Sequence, residues 1–158
     1  MEKPPREKHT HLLTKKLLWK AFGWYGLMAS LFATLAYFFV NWRAGWPSQP
    51  LAATGHAYVL ATTMTLAAIV FSQIGAVFNC RTNTESLFKV GFFSNRRVLF
   101  GIVAEIVIIL ALVYLPILQG LFHTTGIELQ DWLFLIAIPL PIILLEELRK
   151  AWLRRKAA

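Results

Sequence analysis

Two side chains that can offer an oxygen to a cation lie inside long apolar runs of this 158-residue chain. Gln73 interrupts the run from Ala57 to Phe78, and Glu105 interrupts the run that begins at Val98. A charged carboxylate at mid-membrane costs about 2.5–3.5 kcal/mol even on a lenient scale, so Glu105 is expected to be partnered, protonated or functional. For Gln73 the choice lies between a cation ligand and an interhelical hydrogen bond worth about 0.6 kcal/mol. At a rise of about 1.5 Å per residue, Gln73 lies ~7–8 Å and Glu105 ~10 Å inside the same membrane edge. The two groups therefore share a depth, and Gly101 and Ala104 leave room beside Glu105 for a neighbouring helix.

The segment around Gln73 has two faces. At about 100° per residue, Thr62, Thr65, Ala68, Ser72, Gln73, Ala76 and Asn79 fall on one side of a helix, with Ile69 the one bulky intruder. Small and polar residues mark where membrane helices pack on protein. Gln73 is therefore expected to point into a bundle, with Thr65, Ser72 and Asn79 as its structural polar companions.

The elements that must position these groups follow from composition. Hydrophobic residues make up 57% of the chain and charged ones 15%, against about 45–50% and 25% in soluble proteins. The apolar residues come in blocks long enough to cross a hydrocarbon core. The expected fold is all-α, a polytopic four-helix transmembrane bundle. A basic leader (1–18) precedes spans at about 19–40, 56–78, 98–118 and 131–148, and a basic tail (149–158) follows. In the leader, Leu12, Leu13, Leu17 and Leu18 suit a short helix on the membrane surface. Pro139 and Pro141 are expected to kink the fourth span and free carbonyls that neighbours must satisfy.

Charge placement orients the bundle. Of the 16 Lys and Arg residues, six lie at or before Lys20, four between Arg81 and Arg97, and five after Leu148. Only Arg43 remains for the other side. The positive-inside rule then puts both termini and the middle loop in the cytosol. The net charge of +8 is a topology signal, so nucleic acid is not an expected partner.

Several other groups carry little chemistry. The lone Cys80 offers neither an internal disulfide nor metal-ligand spacing. His9 and His11 make an incomplete metal site, and His56 and His123 are expected to be solvated at the far interface. Glu146 and Glu147, followed by Arg149 and Lys150, read as surface ion pairs worth about 0–1 kcal/mol. No cleavable secretory signal is expected. The chain has no phosphate-binding loop, Ser-His-Asp set or metal-binding cysteine cluster. It is not expected to be an enzyme alone, and no cofactor or metal site beyond the candidate cation ligands is expected.

Several motifs, in order, resemble the C-terminal domain of P-type cation-transporting ATPases, closest to the calcium-pump and sodium-pump branch. They are Phe78-Asn79-Cys80-Arg81, Ser86-Leu87-Phe88-Lys89-Val90-Gly91, Phe93-Ser94-Asn95-Arg96, Tyr114-Leu115-Pro116-Ile117-Leu118-Gln119, Asp131-Trp132 and Glu147-Leu148-Arg149-Lys150. The leader Met1-Glu2-Lys3-Pro4-Pro5-Arg6, with Leu12-Leu13-Thr14, is similar to the loop after the sixth transmembrane helix of those pumps. The resemblance covers the chain to about Trp152 and implies that the four spans correspond to transmembrane helices seven to ten. It places Gln73 where the eighth helix supplies an oxygen ligand, a glutamate in some calcium pumps. Glu105 falls at a ninth-helix glutamate that helps form a sodium site in sodium pumps, once a single-residue gap is allowed in the preceding loop.

The same resemblance implies calcium or sodium as the transported cation of a complete pump. Partners would be the remaining pump helices and cytosolic domains, and the lipid bilayer. The phosphorylation, nucleotide and actuator domains and helices four to six are not in this chain. A truncated or split pump gene, restarted internally at Met1, would read this way. The alternative is a free-standing membrane protein that binds or regulates an intact pump; an independent small ion carrier has too few ligands. The expected location is multi-pass in the plasma membrane, the inner membrane in a bacterium.

Overall fold

The computed structural model of the chain describes residues 15–82 and 85–157, and every regular element among them is helical. The expected positions Leu12, Leu13, His9 and His11 lie outside the described residues, while Leu17 and Leu18 are exposed. A single turn, α1 (Lys15–Leu18), leads into a π-helical stretch (Trp19–Tyr25) and then α2 (Gly26–Arg43). α3 (Gly55–Cys80), the one-turn α4 (Leu87–Val90), α5 (Arg96–Tyr114), α6 (Pro116–Phe122), α7 (Leu129–Ala137) and α8 (Pro139–Ala157) follow. Four stretches are long and apolar enough to cross a membrane: Trp19–Arg43, Gly55–Cys80, Arg96–Tyr114 and Leu129–Lys156. The chain is a multi-pass membrane domain.

α3 is the central pillar, in contact with α2, α5, α7 and α8. Over its most apolar window 56% of the residues are buried inside the chain, against 17–33% for the other three spans. Ala61, Met64, Ala67 and Ala68 of α3 are fully buried, together with Ala36, Ile109, Val113 and Leu135 from its neighbours. The alanines let backbones approach, which is how helices gain contact in lipid, where tail atoms are as apolar as leucine.

The tightest approach is at Gly75. A Cβ there would lie 3.2 Å from Ile142 Cβ and Cγ2 and 3.2 Å from the Pro139 Cα. Since Pro139 offers backbone and cannot swing aside, Gly75→Ala is expected to push α3 and α8 apart at a cost of about 1–3 kcal/mol. Unfolding of the purified chain in mixed micelles reads this; a variant as stable as wild type would contradict the close packing.

Prolines divide two of the expected spans. Pro116 ends α5 at Tyr114, short of the expected 118, and α6 starts beyond it. Because proline has no N–H to give the carbonyl four residues back, Leu112 would be left unpaired; the Thr124 hydroxyl donates to it instead. The Gln119 side-chain amide likewise donates to the Val113 carbonyl. The fourth span is interrupted at Ile138, between α7 and α8. Pro139 frees the Leu135 carbonyl, and the Ile138 N–H takes it at 3.1 Å. Ile138 keeps helical dihedrals, so the chain runs on from α7 into α8, and the carbonyl freed by Pro139 is taken within its own segment rather than by a neighbour.

The connection from α3 to α5 is built from side-chain caps. The Ser86 hydroxyl accepts from Phe88 N–H to start α4, which ends at Gly91 with a φ of 81°, a left-handed conformation that suits glycine. Asn95 then caps α5 through its side-chain oxygen. Arg81 donates to the Gly91 and Phe92 carbonyls at 3.0 Å each and to the Ser94 hydroxyl, closing the loop on itself. All of these residues except Phe92 belong to the motifs that carried the family resemblance, and each has a local structural task.

Candidate functional site

The structure divides the face on which the wheel grouped seven residues. Ala68, Ser72 and Asn79 are buried, Thr62, Thr65 and Ala76 half-buried, and Gln73 is exposed. Ser72 donates to the Ile69 carbonyl at 2.7 Å and Thr65 to the Ala61 carbonyl at 2.8 Å. Asn79, fully buried, reaches across to donate to the Ile142 carbonyl of α8 at 3.0 Å. Gln73 does not point into the four-helix interior as expected. The bulky Met64 and Phe71 are buried in that interior instead. With Tyr58, Thr62, Thr65, Ile69 and Val77, Gln73 forms the outward stripe of α3.

Glu105 is half-buried on α5, one turn before the fully buried Ile109. Neither Gln73 nor Glu105 makes a hydrogen bond or ion pair, and no bond joins them. Among the described residues no group of three or more His, Cys, Asp or Glu could hold a metal ion. The pair leaves two unpaired oxygen-bearing side chains at the edges of the bundle.

The charged residues that do meet form two clusters, one at each end. At one end, Arg43 of α2 donates to Asp131 of α7 and, at 2.8 Å, to Glu128. The Asp131 side chain is fully buried. Next to it, Trp132 donates to the Tyr114 hydroxyl at 2.7 Å, and Tyr114 donates to the Ile127 carbonyl at 2.9 Å. The sole basic residue outside the expected cytosolic segments was the signal that could have found this pair.

At the other end, Glu146 of α8 is fully buried and accepts from four donor atoms: Lys20 Nζ at 3.0 Å, Trp24 Nε1 at 3.1 Å, and Arg149 Nε and Nη2 at 2.7 Å each. The surface ion pair expected here is instead a buried anchor between the first span and the last. The π-helical stretch makes it possible, since its i→i+5 turn, seen in the Gly26 N–H bonded to the Ala21 carbonyl, sets Lys20 and Trp24 on one side. The neighbouring pair also reaches away from its own helix. Glu147 accepts from the Leu87 N–H at 2.9 Å, and the fully buried Lys150 donates to Thr82 at 3.0 Å and Glu147 at 3.2 Å. Both acids thus bind the start, the middle loop and the end of the chain together.

The fold is that of a four-helix membrane domain in which Gln73 and Glu105 are unpaired at the edges. Residues 1–152 match the family described as cation transporting ATPase, C-terminus, and the chain belongs to that family. It is 31% identical over 160 residues to the calcium-transporting ATPase 1 of Saccharomyces cerevisiae, covering 99% of this chain and 15% of that protein. It is 28% identical over 152 residues to mouse calcium-transporting ATPase type 2C member 2, covering 96% of this chain and 15% of the mouse protein. The human type 2C member 1 is 29% identical over 150 residues, with 95% and 15% covered. The chain therefore spans 15% of the length of these relatives. The resemblance to P-type ATPases read from the motifs is borne out.

Proposed function

We propose that the chain acts as the C-terminal membrane module of a calcium-transporting ATPase, bracing the transport helices and presenting Gln73 and Glu105 as secondary oxygen ligands to the cation path. The observation that carries this reading is the outward stripe of α3. A glutamine without a partner, on the central helix of a membrane domain, calls for a polar neighbour that these four helices do not supply. Its partners are the remaining helices and the phosphorylation, nucleotide and actuator domains of the pump. Calcium is favoured over sodium because the relatives quoted above are all named as calcium-transporting. Both termini and the 81–95 connection face the cytosol in this reading, and the membrane is the plasma membrane, or the inner membrane in a bacterium, which fractionation tests.

The pump assembled on this chain should respond to the site variants through calcium affinity. Gln73→Ala is expected to raise the calcium concentration for half-maximal ATPase activity about tenfold, equivalent to ~1.4 kcal/mol. The yield of folded protein should hold, since the side chain is exposed and unbonded within the domain. Glu105→Gln should move the same concentration in the same direction. Unaltered calcium activation in both variants would remove the ligand role, and uptake of sodium in place of calcium would overturn the ion.

A further inference from the structure

We propose that the cleft between the π-helical stretch and α8 binds the phosphate headgroup of an anionic phospholipid. The cleft has a volume of about 550 Å³ and is lined by Trp19, Lys20, Trp24 and Arg149. It lies at the end of the bundle where the first and last spans meet, and two tryptophans at such a position suit the headgroup belt of a bilayer. Trp19 is 73% exposed and Trp24 half-buried, so together they offer an apolar wall beside two cations.

The two cations are held in place and only partly used. Arg149 commits Nε and Nη2 to Glu146, leaving Nη1 without a bond. Lys20 commits one contact to Glu146 and lies 5.6 Å from the centroid of the Tyr25 ring, leaving further ammonium hydrogens. Both side chains keep some exposure, 20% for Lys20 and 29% for Arg149, whereas Glu146 has none. A buried carboxylate thus fixes two cations whose spare donors face the cleft, and the cluster keeps one net positive charge. A lipid is favoured over free phosphate because it fills both halves of the site. Its phosphate takes the donors, while the glycerol and upper acyl carbons cover the tryptophan faces that a small anion would leave wet.

The test uses the whole chain in nanodiscs of phosphatidylcholine alone or mixed with phosphatidylserine, with native mass spectrometry counting the lipids retained on release. The wild type should retain phosphatidylserine in preference to phosphatidylcholine. Arg149→Gln should lower that preference about fivefold, the ratio that matches ~1 kcal/mol for one basic residue at a membrane surface. Trp19→Ala, at an exposed position that leaves the Glu146 anchor intact, should lower the amount of lipid retained. Arg155→Gln with Lys156→Gln should leave both readings as in the wild type. Equal retention of the two lipids by the wild type would overturn the proposal. So would a preference that survives both cleft variants, one lost only in the tail variant, or displacement of the lipid by inorganic phosphate.

Discussion

Arg43→Met is expected to destabilise the folded chain by about 3–5 kcal/mol, because it leaves a fully buried carboxylate without its cation. Asp131 has no exposed side-chain surface, and Arg43 is the cation bonded to its Oδ1, while Oδ2 has no hydrogen bond. Removing the arginine strands the charge between α2 and α7. Asp131→Leu added to Arg43→Met should restore most of the loss, since an apolar replacement of both partners no longer leaves a charge to desolvate. Glu128→Gln should do little. That side chain is 61% exposed, so water and salt screen its pair with Arg43. The pH response has a definite sign. The Gln130 amide, and then Arg43, hold Glu128 below the usual carboxylate range. The stabilisation from Glu128 is therefore present above its ordinary titration range and disappears as pH falls through the lowered one. Reversible unfolding in mixed micelles, titrated with denaturing detergent, measures all three variants. A double variant no more stable than Arg43→Met would show that the pair does more than neutralise Asp131.

Glu146→Ala should have an effect at the low end of the same range, about 3 kcal/mol. It takes one acceptor from Lys20, Trp24 and Arg149 at once, and all three approach within 3.1 Å. The low end is chosen because Lys20 and Arg149 retain contact with water and can turn outward, as long basic side chains do near a helix end. Glu146→Gln keeps an oxygen for the Trp24 indole and should fall between the wild type and the alanine variant. Protease susceptibility of the 15–26 segment gives a second reading that tests the anchor directly. Cleavage there should rise in Glu146→Ala but not in Gly75→Ala, whose defect lies deeper in the bundle. Equal resistance in wild type and Glu146→Ala would mean that the first span holds its place without the anchor.

The two clusters show why long-range ion pairs are hard to read from a sequence. Trp24 and Glu146 are 122 residues apart, and Arg43 and Asp131 are 88. Nothing local distinguishes an acid that faces water from one that locks two spans together. Glu146 ends the fourth span and Lys150 begins the basic tail, a stretch that reads as a solvated helix end, yet both side chains are fully buried. The interruption at Pro139 was legible in position, because a missing N–H acts on its own helix, but the one at Pro116 was passed over inside an expected span. The repair there was not legible either, since it depended on where Thr124 and Gln119 returned to α5.

By itself the sequence determined that this is a membrane domain of four apolar spans, and which family it joins. Hydrophobicity, proline and capping residues act over a few neighbouring positions, and the bilayer accepts little besides helices. Only the tertiary structure decided which side of α3 faces inward. A helical wheel ranks the faces of one helix, but Gly75, Asn79 and the α8 backbone set the contact that turned Gln73 outward. The rotation of a helix is fixed by the surfaces around it, and those surfaces come from residues far away along the chain.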